Sequence, residues 1–157
     1  MLNQLRQKKK EAQAKNQGFT IIEVMIVLVI AAVIILIVFL AVPALQRNSR
    51  NNQRKNDVAR VSAAVSEHSS NNNGQLPTTY VQIANNVGTL GFYTTPTGNV
   101  STGAQAAVTD QGTIRVVTGA TCVVATDATI AGTARQFAVQ YAVEVGGTGT
   151  DPQCLQG

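Results

Sequence analysis

The sequence predicts an α+β protein: a long N-terminal α-helix, its first half hydrophobic and membrane-spanning, packed on a small antiparallel β-sheet head. Three observations carry this. From Val24 to Leu45 the chain runs 22 residues without a charge, or ~33 Å as a helix against a hydrocarbon core of ~30 Å. Directly after it, apolar residues recur at helical spacing. Towards the end of the 157-residue chain, large apolar residues alternate with polar or small ones, as in a half-buried strand.

Taken in order, residues 1–18 are basic and Gln-rich, with no core pattern. Arg6, Lys8, Lys9, Lys10 and Lys15 against Glu11 give this segment a net charge of +4. Residues 19–157 balance to zero, so the basic character of the whole belongs to the leader, and an inference of nucleic-acid binding from net charge fails without it. The apolar run is rich in β-branched residues, which favour strand in water; in lipid a helix satisfies its own backbone groups and prevails. The run is too long for the 7–15-residue apolar region of a secretory signal, and no small-x-small cleavage site follows near Leu40. Pro43 removes one helical hydrogen bond and crowds the preceding turn, so a kink is expected there.

Beyond Pro43, Val58, Val61, Ala64, Val65 and His68 form an apolar stripe, with Arg60, Ser62 and Glu67 opposite. The helix is expected to continue to about Ser70 and to end at Asn71-Asn72-Asn73-Gly74, residues that tolerate positive φ. Residues 75–111, with Pro77 and Pro96, read as a long irregular connection with one short strand around Gly91–Thr95. Strands are expected at Thr113–Thr118 and Thr121–Thr126, joined as a hairpin through Gly119-Ala120. The clearest strand follows: Phe137, Val139, Tyr141, Val143 and Val145 on one face, Gln136, Ala138, Gln140, Ala142 and Glu144 on the other. Gly146-Gly147-Thr148-Gly149 closes it, and the rest reads as a tail.

Both flanks of the apolar run carry five Lys or Arg residues, so the positive-inside count is a tie. Cys122 and Cys154, the two cysteines, both lie beyond the run. An even pair in a small head suits an oxidising compartment and a disulfide, which places the head outside; the alternative is two reduced, buried thiols.

Catalytic chemistry finds no support. His68, the one histidine, stands at the end of the stripe, where helix-end packing is the expected role. No paired carboxylates, phosphate-binding loop or metal-ligand cluster appears, so no cofactor or metal is expected. Near Gly146–Asp151 only Asp151 could offer calcium a carboxylate, and calcium takes six to eight oxygens. Arg47, Arg50, Arg54, Lys55 and Arg60 lack interleaved aromatics for base stacking; they read as a solvated face, or as contacts to headgroups or neighbouring heads. Asn99-Val100-Ser101 fits a glycosylation sequon.

The most specific signal is Gly18-Phe19-Thr20-Ile21-Ile22-Glu23-Val24. An acid at the centre of a bilayer helix costs ~3 kcal/mol, and intramembrane ionisable groups mark function. The nearest compensating cation on the apolar side of Gly18 would be a new amino terminus at Phe19. This block, behind a basic leader and ahead of an apolar helix, resembles the amino terminus of type IV prepilins. The resemblance implies cleavage after Gly18 by a membrane prepilin peptidase, methylation of Phe19, and Glu23 as the assembly glutamate that pairs with the Phe19 amine of a neighbour. It implies a homo-oligomeric filament raised from the membrane by pilus assembly machinery. The implied organisation is a leader at 1–18, a helix at 19–70 with 19–45 as membrane span and filament core, and a head at 71–157 with a C-terminal disulfide loop. A pseudopilin of a secretion system or a minor pilin shares these N-terminal features. A single-pass anchored binding domain, never cut, is the rival of another class.

Overall fold

The structure, a computed structural model, describes residues 18–93, 100–147 and 149–157. Residues 1–17 of the expected leader 1–18, the sequon asparagine Asn99 and the second part of the strand expected at Gly91–Thr95 lie outside them. The chain divides into two compact units, Met1–Pro43 and Ala44–Gly157. The fold is α+β. Helix α1 spans Ile21–Asn71, and its stretch beyond Pro43 belongs to the second unit.

In the first unit every apolar side chain of α1 from Ile21 onward is exposed. Length and composition make it a helix able to cross a membrane. Pro43 lies inside the helix.

In the second unit α1 changes character. Val58, Val61, Ala64 and Val65 are buried, and they pack in one cluster with Ile83, Val116, Phe137, Val139, Tyr141 and Val143. Burying one valine fully contributes on the order of 1.5 kcal/mol or more, so this stripe holds helix to sheet. The helix stops where expected: Asn73 and Gly74 take φ of 55° and 84°, and the Gly74 amide returns to the Ser69 carbonyl at 2.8 Å.

The connection that follows is more ordered than its composition suggests. It holds a 3₁₀ turn at Tyr80–Gln82 and a short helix α2 at Ala84–Val87. The buried Tyr80 hydroxyl oxygen accepts the Val116 amide at 2.9 Å, tying this connection to the sheet. The strands are β1 (Ser101–Thr102), β2 (Arg115–Thr118), β3 (Ala120–Cys122), β4 (Thr129–Ala131), β5 (Phe137–Glu144) and β6 (Thr150–Gln156). The main sheet has the order β1-β2-β5-β6, and β3 and β4 form a second, two-stranded sheet. All pairs are antiparallel except β1 with β2.

Four expectations are corrected. The Gly119-Ala120 hairpin does not exist: β2 pairs with β5 and β3 with β4. Gly119, at φ 63°, turns the chain out of one sheet and into the other, and its amide binds the Gln136 carbonyl at 2.8 Å. The strand expected at Thr121–Thr126 stops at Cys122, because the chain turns back through Val123–Asp127, with Asp127 at φ 50°. Residues 91–93 form bends, not a strand. The C-terminal segment is a seven-residue edge strand, not a loop; Pro152 hides it in the sequence, yet an edge tolerates proline.

The alternation in β5 also means something different from one wet face. Ala138, Gln140 and Ala142 are as buried as the residues between them. Gln140 donates to the Asp127 carbonyl at 3.1 Å, so the turn after β3 reaches over this face. A disulfide joins Cys122 of β3 to Cys154 of β6, with Cα atoms 5.8 Å apart. Closing a loop of this length is worth ~3–4 kcal/mol on the chain-entropy model. Replacing both cysteines by serine should lower head stability by about that amount, read as an earlier chemical or thermal unfolding midpoint; an unchanged midpoint would remove the bridge from the account.

Candidate functional site

Thr20 is the residue before the first turn of α1, and Glu23 stands three residues on. The Thr20 amide and hydroxyl both donate to Glu23 Oε2 at 2.8 Å, and the Glu23 amide donates back to Thr20 Oγ1 at 3.3 Å. This is a reciprocal capping box, which satisfies two donors that a helix start leaves open. The acid also sits at the positive end of the helix dipole. Glu23 is thus the one acid in a run of apolar side chains and is anchored by its own helix terminus.

Phe19 is 88% exposed, and no atom lies within 4 Å of where a Cβ on Gly18 would stand. Packing therefore does not demand glycine at 18. The Gly18–Phe19 peptide bond is open to an approaching protein. Among the described residues no hydrogen bond joins Phe19 to Glu23, and the Phe19 nitrogen is a peptide amide, not an amine.

A second cluster fixes α1 to the head. Arg54 is 1% exposed. Its Nη2 donates to Glu144 Oε1 at 2.7 Å and its Nη1 to Asn51 Oδ1 at 2.8 Å, and its guanidinium lies 3.9 Å over the Phe92 ring. Arg50, one turn earlier, places Nε 2.9 Å from the same Oε1 and Nη2 against Oε2. Asn51 exchanges two bonds with the Glu144 backbone, donating to its carbonyl at 2.8 Å and accepting its amide at 2.9 Å. Asp57 accepts the amides of Gly91, Phe92 and Tyr93 at 2.8, 2.6 and 3.1 Å. Hydrogen bonds from Arg50, reinforced by Arg54, hold the Glu144 carboxyl down at about 2. Burial pushes the Tyr93 phenol up to about 12.

Arg50 and Arg54 are thus structural cations engaged by the head, a correction to the solvated face expected of them. The signal was available: positions 54, 57, 58, 61, 64 and 65 continue one face of α1, but two of them are charged and do not count as core by composition. Of the other expected residues, Cys122 and Cys154 are bonded to each other, His68 is half-buried at the helix end, and Pro43 closes the first unit.

Residues 13–39, which span Gly18, Phe19, Glu23 and the start of the apolar helix, match the prokaryotic N-terminal methylation motif. It is the leader signature of type IV pilin and pseudopilin precursors. No curated protein and no solved structure matches the chain. Motif and apolar helix together fit a membrane-anchored precursor, and they point to a structural protein rather than an enzyme.

The Glu144 cluster makes two measurable demands. Glu144→Ala strands the buried Arg54 charge and should cost ~3–5 kcal/mol of head stability, whereas Arg50→Ala removes an arm that is 45% exposed and should cost ~1 kcal/mol or less. The Glu144 carboxyl is depressed in the folded state, so its contribution is complete above its unfolded value of ~4.3 and is lost as pH falls towards about 2. Denaturation midpoints recorded from pH 6 to pH 2 should fall more steeply for the unaltered chain than for Glu144→Gln.

Proposed function

We propose that the protein is the precursor of a type IV pilus filament subunit. The observation that carries this is the methylation motif at 13–39, laid over an apolar helical run whose one acid, Glu23, stands close to an open Gly18–Phe19 bond. The functional division is a leader at 1–18, a helix at 19–70 and a head at 71–157. A membrane prepilin peptidase hydrolyses the bond after Gly18, which frees the Phe19 amine for methylation. With a pKa near ~8, that amine is largely cationic at neutral pH.

The span at 19–45 then leaves the bilayer through the pilus assembly machinery and packs against its copies. Apolar burial and dispersion between helices replace lipid contacts. In this dry core the Glu23 carboxylate meets the Phe19 ammonium of a neighbour, a charge-assisted bond that is strong at low dielectric. It sets the axial step, because a subunit docked one turn away would bury both charges unpaired at a cost of several kcal/mol. Pro43 gives the helix a place to bend as it is withdrawn. The head stays outside, held to α1 by the Val58–Val65 stripe and the Glu144 cluster.

Intact mass and N-terminal sequencing of fibres sheared from cells test this directly. A methylated chain starting at Phe19 is expected. A chain starting at Met1 and confined to membranes would leave an anchored binding domain instead. Glu23→Ala should be cleaved normally yet yield no filaments by electron microscopy, and abundant filaments would end the axial-register mechanism.

A further inference from the structure

A groove of about 760 Å³ on the head lies where the end of α1 meets the β1–β2 end of the main sheet. Its polar lining comes from Asn73, Gln75, Thr78, Thr102, Thr118 and Arg135. The volume falls within the ~300–1,000 Å³ of small-ligand sites. Arg135 is the one charged residue in the lining, and among the described residues it makes no hydrogen bond or ion pair.

Its position is nonetheless defined. Gly74 has φ +84°, and a Cβ there would stand 3.2 Å from Arg135 Nε and 3.3 Å from Cζ. Glycine at 74 therefore both ends the helix and lets the guanidinium lie against the cap. Around it the groove has spare capacity. Asn73, Gln75 and the Thr102 hydroxyl are exposed and uncommitted, while Thr78 Oγ1 binds Gln82 at 3.3 Å and Thr118 Oγ1 binds the Ser101 carbonyl at 3.4 Å. The walls are firm, since the Val100 amide binds the Thr78 carbonyl at 2.9 Å and the Gly103 amide the Thr118 carbonyl at 3.1 Å.

The lining narrows the class of ligand. It holds no aromatic ring, so a neutral sugar has no platform to stack on. Leu76 and Ala134 are its apolar side chains, too little to seat the hydrophobic residues of a peptide. The neighbouring edge strand β1 is two residues long, too short for a peptide to add as a strand. What remains is a row of amides and hydroxyls with one guanidinium, whose planar fork takes a carboxylate through two parallel bonds.

We propose that this groove binds an acidic saccharide, its carboxylate held by Arg135 and its hydroxyls by Asn73, Gln75 and Thr102. The site is independent of the filament role and would operate on a subunit, a filament or an anchored domain alike. The probe is oligogalacturonate titrated calorimetrically into the full chain in neutral detergent micelles. Binding that weakens with added salt is expected, with no heat from the matching neutral galacto-oligosaccharide. Arg135→Gln should weaken it by about tenfold or more, the loss of a two-bond charged contact. Lys55→Gln, which removes an exposed cation elsewhere on α1, should leave it unchanged. Thr102→Val, which leaves the helix cap untouched, should weaken it as well, and this covers the case in which Arg135→Gln disturbs folding. No binding of oligogalacturonate, equal binding to Arg135→Gln with its unfolding midpoint intact, or equal binding of oligoglutamate would each overturn the proposal.

Discussion

Glu144 stands at the end of an interior strand and receives two arginines from successive turns of α1, while Asn51 takes its backbone amide and carbonyl. The rest of the head is arranged around this meeting. Arg54 can be buried because the carboxylate neutralises it, and once buried it offers Phe92 a flat cation to pack on. One turn further, Asp57 gathers three amides around that same Phe92. A valine stripe alone would let the helix slide along the sheet at little cost, since apolar contacts have no direction. Hydrogen-bonded charges do not slide. The junction thus acts as a set of stops that defines where along its length the helix carries the head.

The same helix must suit two solvents. Up to Pro43 it presents apolar side chains on every side, and past its first turn nearly all of its backbone groups are satisfied within the helix, as lipid requires. Beyond it, one face is core and the others are polar. Glu23 belongs to neither regime. In the chain as it stands, its charge is answered locally by Thr20, at the one place on an apolar helix where free amides point outward.

The long helix, its stop at Asn73-Gly74 and the strand β5 are legible in the sequence, because each is a long periodic segment or a turn whose residue types have a mechanism. The N-terminal block is legible because its order and spacing are specific. What escapes is set by contacts far apart in the chain. β1 is two residues long and exists through pairing with β2. β6 contains Pro152 and little apolar character, and it is a strand because Val139 and Tyr141 lie opposite Leu155 and Gln153. Gly119 looks like a hairpin turn from its neighbours alone; only the destinations of the flanking strands show that it is a crossing between sheets. Arg54 and Asp57 are charged, so a search for core residues by type passes over them although their spacing places them there.

The bond between Cys122 and Cys154 has a mechanical side. It closes a ring over a separation of 32 residues, containing β4, β5 and the turns between. A pull on the chain that reached either cysteine would pass through the sulfur atoms and go around the ring. Roughly 110 Å of extended chain, at ~3.4 Å per residue, is thereby withheld from any lengthening. Strand β5, which carries Glu144, lies inside that protected stretch, so tension on the C-terminal end of the molecule is diverted from the strand that anchors the helix.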